Sequence, residues 1–271
     1  MGEGYRRGQV KNAPLVYVFS MIRIQDIKSY VKYMSDLQES LRDILPNYHE
    51  QKSNDQNIQI NQDGTVNTIT SNSISFYYSD FDNKKGVMVK DDRIILHSTS
   101  YSRFAEFREF FEPIVSEIKR IMKISYYRGA GIRYIDHIKP IGDTAIDKIV
   151  CDERFLPKVF GDQDRSNANQ QSQIELYNTT EFGNLIVRGT YLEKQPPVHP
   201  SILNSYAVIG RDQPVEKTLV IDTDHADSEL QKLREFDVSK VFDHLDELHE
   251  VCHNVFEETV SIDVLENSND R

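Results

Sequence analysis

His249-Glu250-Val251-Cys252-His253, inside the run DELHEVCHNVFEE, has the spacing H-E-x-x-H. On a helix this spacing stacks two imidazoles one turn apart, so that both reach one zinc ion while the glutamate stands ready as general base. A catalytic zinc of this kind takes a third protein ligand and keeps one position open for water. Downstream, Glu257, Glu258 and Asp263 are available, but Glu257 lies two turns beyond His249, too far along the axis to share the ion. An upstream ligand would have to come from Asp222, Asp224 or His225. On a wheel of about 100° per residue, Val238, Val241, Phe242, Leu245, Leu248, Cys252, Phe256 and Val260 form one apolar stripe. His249 falls inside the stripe, His253 at its edge and Glu250 toward the polar side. That placement favours a buried histidine hydrogen-bonded within the core over a zinc ligand.

A second constellation is VIDTDHADSE, where Asp222 and Asp224 share one face of a strand and His225 and Asp227 follow. Such a group suits a hard cation such as Mg²⁺, although a carboxylate pair at a strand end is more often satisfied by loop amides or a nearby arginine. A third is RGAGIRYIDHI, which alternates Ile132, Tyr134, Asp136 and Ile138 against Arg133, Ile135 and His137. Arg128 and Arg133 could hold an anion, and Asp136, on an apolar face, needs a partner if buried. Arg128, Arg133 and Asp136 are therefore the ligand-binding candidates, with His249, His253, Asp222 and Asp224 as secondary metal candidates. No catalytic residue and no cofactor are assigned. RGAG lacks the spacing and the following helix of a phosphate loop, and no G-x-S-x-G elbow, paired C-x-x-C or kinase signature occurs.

The 271 residues carry a net charge of −11, with acidic residues dispersed over the chain. This disfavours non-specific nucleic-acid binding. Local basic residues occur at Arg6, Arg7 and Lys11 and at Lys119, Arg120, Lys123, Arg128 and Arg133, a pattern ordinary for solvated helix ends. Two cysteines, Cys151 and Cys252, in a chain of this size suggest reduced thiols and a cytoplasmic protein. No apolar run is long enough to span a membrane.

The elements that must position these residues follow from periodicity. PLVYVFSMIRI reads as a strand apolar on both faces, central in its sheet. Residues 26–45 read as an amphipathic helix stopped by Pro46. QKSNDQNIQINQDG is a polar hairpin edge or a loop; SISFYYSD and GVMVKDDRIILHSTSY give three strands, the last two joined at Asp91-Asp92. Residues 102–123 form a second helix, which Pro113 should kink or split. YYRGAGIRYIDHIK is a strand whose Gly129 and Gly131 suggest a bulge or a close backbone approach. Short helical pieces DTAIDKIV and ERFLPKVF precede a hairpin around Gly183-Asn184 and the strand EKTLVIDTDH. EKQPPVHPS and residues 225–236 read as irregular. Asp237 caps a final helix ending near Val260, and ENSNDR is a frayed tail.

In order along the chain, APLVYVFSMIRI, LPNYHEQ, ILHSTSYSRFAEF, RGAGIRYIDHI, LVIDTDH and LDELHEVCHNVFEETVS resemble the motifs of a sporadically distributed bacterial and archaeal family of uncharacterised proteins. Its members open with a Pro-(Leu/Ile)-Val-Glu-Val-Val strand, carry a central Arg-x-Gly-Leu-Arg-Tyr-Ile-Asn-x-Ile strand and close with an aspartate-bearing strand and a Leu-His helix. Tyr17 stands where the family favours glutamate, and Asp136 where it favours asparagine. The family's terminal helix has the histidine matching His249 but not the one matching His253. The resemblance implies no reaction; its patchy distribution is like that of anti-phage defence genes.

The expectation is an α+β protein with antiparallel sheets and helices packed on one face, in two closely packed subdomains, 1–140 and 141–271. Its expected role is a non-catalytic binding or sensing protein, an accessory component of a bacterial anti-phage defence system. It should be a homodimer with a protein partner and no membrane association. The alternatives are a metal-dependent hydrolase and a module for a small anionic ligand.

Overall fold

The structure is a computed structural model that describes residues 12–60, 66–157, 171–195, 215–229 and 232–268, without the side chains of 54–60, 66–72, 195, 215 and 216. Among the described residues the strands are β1 (Leu15–Ile24), β2 (Asn47–Ile60), β3 (Val66–Ser79), β4 (Lys85–Val89), β5 (Arg93–Ser98), β6 (Tyr126–Ile138), β7 (Gln171–Thr179), β8 (Asn184–Gln195), β9 (Val215–Ala226) and β10 (Arg234–Glu235). They form one antiparallel sheet in the order β2-β3-β4-β5-β1-β6-β9-β8-β7, with β10 added to the end of β6. The helices are α1 (Met34–Leu41), α2 (Phe104–Met122), α3 (Ile146–Ile149), α4 (Val238–Thr259) and α5 (Ile262–Asn267). This is an α+β architecture. The boundary expected at 140/141 falls between β6 and β9, which are hydrogen-bonded neighbours, so the two expected halves are joined through one continuous sheet.

One face of the sheet carries the helices. Even-numbered residues of β1 (Val18, Ile22, Ile24) and of β6 (Ala130, Ile132, Tyr134) pack in one core with Phe104, Phe107, Phe111, Ile114 and Ile118 of α2 and with Val241, Phe242, Leu245, Leu248, Cys252 and Phe256 of α4. Burying each large apolar side chain contributes roughly 1.5–3 kcal/mol, and here the contributions converge on the strand pair β1 and β6. The opposite face has a smaller apolar cluster, Tyr17, Ile135, Leu192 and Val220. β1 is therefore buried on the helical face and covered in part on the other, where Tyr17 is buried and Phe19, Met21 and Arg23 are half-buried.

Several local expectations need correction. The segment 26–45 does not make one helix: a 3-10 turn at Tyr30–Tyr33 leads into α1, only eight residues long. Tyr30 is tied down instead, donating its hydroxyl to the carbonyl of Ile74 at 2.7 Å. Pro113 does not split α2, which runs nineteen residues with the proline inside. Both Pro113 and Glu109, the residue whose carbonyl loses its partner, are exposed, so water can satisfy the freed acceptor. Beyond α4 a short helix, α5, is capped by Ser261, whose side chain accepts from the amide of Val264; of the tail ENSNDR expected to fray, Glu266 and Asn267 belong to α5 and 269–271 lie outside the described residues. Asp237 caps α4 as expected, accepting from the amide of Lys240. The bulge expected near Gly129 is present, with the β1·β6 register shifting between Arg23 and Ile24. Gly131 is also a close approach: a Cβ there would lie 2.8 Å from that of Ala226.

The polar stretch read as hairpin edge or loop is the longest hairpin of the fold. β2 and β3 pair over their whole fourteen-residue length, from Asn47 opposite Ser79 to Ile60 opposite Val66. Only Phe76–Ser79 pair with β4. Ser75 is still buried and Ile74 packs on the core; beyond them the pair extends past the sheet as a two-stranded ribbon, roughly 25 Å at the strand rise of about 3.3 Å per residue. No helix among the described residues is long and apolar enough to cross a membrane. Neither Cys151, exposed, nor Cys252, buried, is in a disulfide.

Candidate functional site

Tyr134 leaves the middle of β6 toward α4, because the alternation of an extended strand sends its side chain to the helical face together with Ile132. Its hydroxyl lies 2.8 Å from Nδ1 of His249. Tyr134 is fully buried and His249 is 8% exposed. The imidazole stacks on Phe104, with ring centroids 5.0 Å apart at 11°, and beside His253 at 5.9 Å and 22°. The Tyr134 hydroxyl also sits 3.3 Å from that of Tyr101. The chain Tyr101, Tyr134, His249 thus runs from the loop before α2 through the core to α4. Tyr101 opens onto a cleft lined by Ser98, Ser100, Ser102, Arg103 and Lys85. Within it Arg103 is paired with Glu106 at 2.8 Å, and Lys85 lies over the ring of Phe110 at 4.6 Å.

The apolar stripe places His249 in the core as the wheel predicts, and Glu250 outside it. His253 is half-buried, with Nε2 3.5 Å from Glu257. The residues that gather around His249 are not those of the H-E-x-x-H reading. Donor atoms of Asp246, His249 and Glu250 all lie within 4.8 Å of one another. Asp246 lies upstream of the H-E-x-x-H spacing and outside the ligands that spacing offers. The signal was available: positions i, i+3 and i+4 share a helix face. Burial raises the Asp246 carboxyl above its ordinary value, and the negative charges of Glu250, Asp243 and Glu247 add to this against the opposing pull of Arg108.

The three ligand-binding candidates of β6 are not brought together. Arg133 lies opposite Asp224 of β9 and Phe19 of β1, on the face away from the helices. Asp136, three residues on, is fully buried opposite Leu15 and Ile221 on the helical face. Arg128 sits at the bulge near the other end of the strand, half-buried. Arg133 is occupied: its Nε donates to Oδ1 of Asp222 at 2.6 Å and its Nη2 to Oδ2, a bidentate pair with Asp222 1% exposed. Burial acts to lower the Arg133 pKa, but the hydrogen bonds and charge of Asp222 outweigh it and hold the guanidinium above its ordinary value. Arg188 of β8 completes a charge ladder across four strands, paired with Glu175 of β7 and 3.5 and 3.8 Å from Asp222 and Asp224.

The cluster Asp222, Asp224, His225 and Asp227 separates into distinct networks. Asp222 and Asp224 belong to the charge ladder. His225 points to the helical face, where Nδ1 donates to the carbonyl of Leu248 at 3.1 Å and Nε2 lies 2.8 Å from Thr180 Oγ1. Asp227 accepts from the amide of Ala130 at 3.0 Å and from Arg234 at 2.9 Å, and lies 3.2 Å from Nε2 of His244. Burial acts to raise Asp227, but His244, Arg234 and the Ala130 amide hold its carboxyl down at about 2. Each network fastens one strand or helix to another. Arg6, Arg7 and Lys11 lie outside the described residues, as does most of EKQPPVHPS.

A different kind of site lies along the β2–β3 hairpin, at the sheet-paired end opposite its free ribbon. Phe81, in the turn between β3 and β4, is 84% exposed, and Ile44 is 49% exposed. The two belong to one corner, because the Asn47 amide donates to the carbonyl of Asp80 at 2.6 Å and approaches that of Phe81 at 3.4 Å. The base of the ribbon is rigid: Tyr30 holds Ile74, and Ser53 and Ser73 are joined across the hairpin at 2.8 Å.

Neither a scan against protein-family models nor a search of curated proteins gives a match to this chain.

Proposed function

We propose that this chain is a cytosolic, non-catalytic binding protein, that the β2–β3 ribbon is its docking arm, and that the surface it first engages is a second copy of itself. The observation that carries the reading is the ribbon, of which only Phe76–Ser79 are backed by the sheet. A two-stranded ribbon is marginal in water by itself, and among the described residues its outer strand β2 ends the sheet, an edge that can template strand addition. Phe81, past the sheet-paired end of the same hairpin, supplies an exposed aromatic of the kind that anchors interfaces. The residues that spelled chemistry in the sequence work inside the fold: His249 with Tyr134, and Asp222 with Arg133.

The test is to replace residues 54–72 with Asn-Gly, joining Ser53 to Ser73, which already face each other in the register. The shortened chain should keep its helix content and cooperative melting while losing self-association in sedimentation. A shortened chain that associates as the intact one does would refute the assignment. The defence role implied by the family resemblance is a further layer of this proposal. Plaque counts on cells carrying the intact or shortened gene with its neighbours would test it, and equal counts would remove it.

A further inference from the structure

We propose that Asp246, His249 and Glu250 form a binding site for one divalent cation of the Zn²⁺ class on the surface of α4. The inference is independent of the ribbon. It follows from ligand geometry and from the way His249 is held. The three donors occupy positions i, i+3 and i+4 of one helix and lie within 4.8 Å of one another. Bonds to zinc run about 2.0–2.2 Å for imidazole and carboxylate, so the two flexible carboxylates must swing inward for one ion to reach all three donors.

The imidazole is the fixed member. Its Nδ1 is engaged by the Tyr134 hydroxyl at 2.8 Å, and Phe104 stacks on its ring. A metal-binding histidine is characteristically oriented through a hydrogen bond at its other nitrogen, and Tyr134, itself fully buried, meets that requirement. The mixed imidazole and carboxylate set suits zinc or manganese better than calcium or magnesium, which prefer oxygen alone. The electrostatics point the same way. Asp243 and Glu247 add negative charge beside the site, and the neighbouring cation, Arg108, is held by Glu112 and Asp243 at 2.7 Å each. A bound cation would relieve the mutual repulsion of Asp246 and Glu250.

This ligand set differs from the H-E-x-x-H reading, in which His253 is a ligand and Glu250 is not. Here His253 is a neighbour, paired with Glu257 at 3.5 Å. The distinction makes the test sharp. Zn²⁺ is titrated into untagged, chelator-treated protein against a chromogenic competitor, and bound zinc is counted by native mass spectrometry. One ion per chain is expected. Asp246→Asn with Glu250→Gln should weaken it at least 10-fold with an unchanged unfolding curve, because neither carboxylate belongs to the core. Tyr134→Phe, which leaves every ligand in place, should weaken it by about 10-fold. His253→Gln should leave it within about 3-fold.

Absence of zinc binding at micromolar concentration, or wild-type binding by the Asp246→Asn/Glu250→Gln chain, would overturn the site. Loss of binding in His253→Gln would overturn it in favour of the two-histidine arrangement.

Discussion

The hydroxyl of Tyr134 and Nδ1 of His249, 2.8 Å apart, tie the centre of the sheet to the last helix across 115 residues of sequence. The same contact explains why a histidine sits in an apolar stripe and why a metalloprotease pattern is spelled there. An imidazole in the core needs one partner, and β6 supplies it at the one position whose side chain is long enough and correctly faced.

Removing that partner leaves a buried nitrogen unsatisfied. Tyr134→Phe is expected to destabilise the chain by about 1–3 kcal/mol. His249→Ala, which also removes the ring stacked on Phe104, should cost more than Tyr134→Phe. Urea unfolding curves measure both, and a neutral Tyr134→Phe would show that the contact contributes nothing.

The Arg133 and Asp222 pair gives a second prediction. Asp222→Asn leaves a largely buried guanidinium without its bidentate carboxylate and should cost about 3–5 kcal/mol. Arg133→Met combined with Asp222→Leu should recover most of that loss, since a well-packed apolar pair can replace a buried ion pair. If Asp222→Asn unfolds at the wild-type midpoint, the pair is not structural and Asp222 is free for another role.

His97 gives the pH dependence. It is buried against Tyr17, above Gly86, where a Cβ would meet its Nε2 at 2.5 Å, and among the described residues its Nδ1 has no hydrogen-bond partner. Burial pushes its pKa down from 6.5 to about 4, against a smaller upward pull from Asp80. The unfolded chain therefore takes up a proton below pH 6.5 that the folded chain refuses until about pH 4. Stability is full above the upper value and falls through this window, by on the order of 3 kcal/mol. His97→Gln should flatten the profile of unfolding free energy against pH between these limits. An unchanged slope would assign the acid sensitivity to other groups.

Much of this arrangement was legible in the sequence, for identifiable reasons. β1 and β6 announce themselves through long apolar runs at the centre of the sheet, and the stripe on α4 located His249 correctly because helical periodicity is a local property. An arginine was one expected solution for the Asp222 and Asp224 pair, and Arg133 fills it. The misses have equally physical causes. Residues 26–45 look helical, but Tyr30 bonds to Ile74, a tertiary contact that periodicity cannot see. The β2–β3 ribbon has too little apolar alternation to stand out from a loop, since it projects past the core. Arg128, Arg133 and Asp136 are close in sequence yet divided between a bulge and two faces by strand alternation. Asp246 stands three residues before His249 on the same helix face, but the H-E-x-x-H spacing points downstream to His253.

The docking arm is tested most directly by sedimentation equilibrium of three chains side by side: the intact protein, the chain with 54–72 replaced by Asn-Gly, and Phe81→Ala. Phe81→Ala should change folding stability by no more than about 0.5 kcal/mol, as expected of an exposed side chain. The account predicts an intact dimer, a shortened chain that is folded and monomeric, and weakened association in Phe81→Ala. A monomeric intact chain, or a dimer indifferent to both changes, would contradict it.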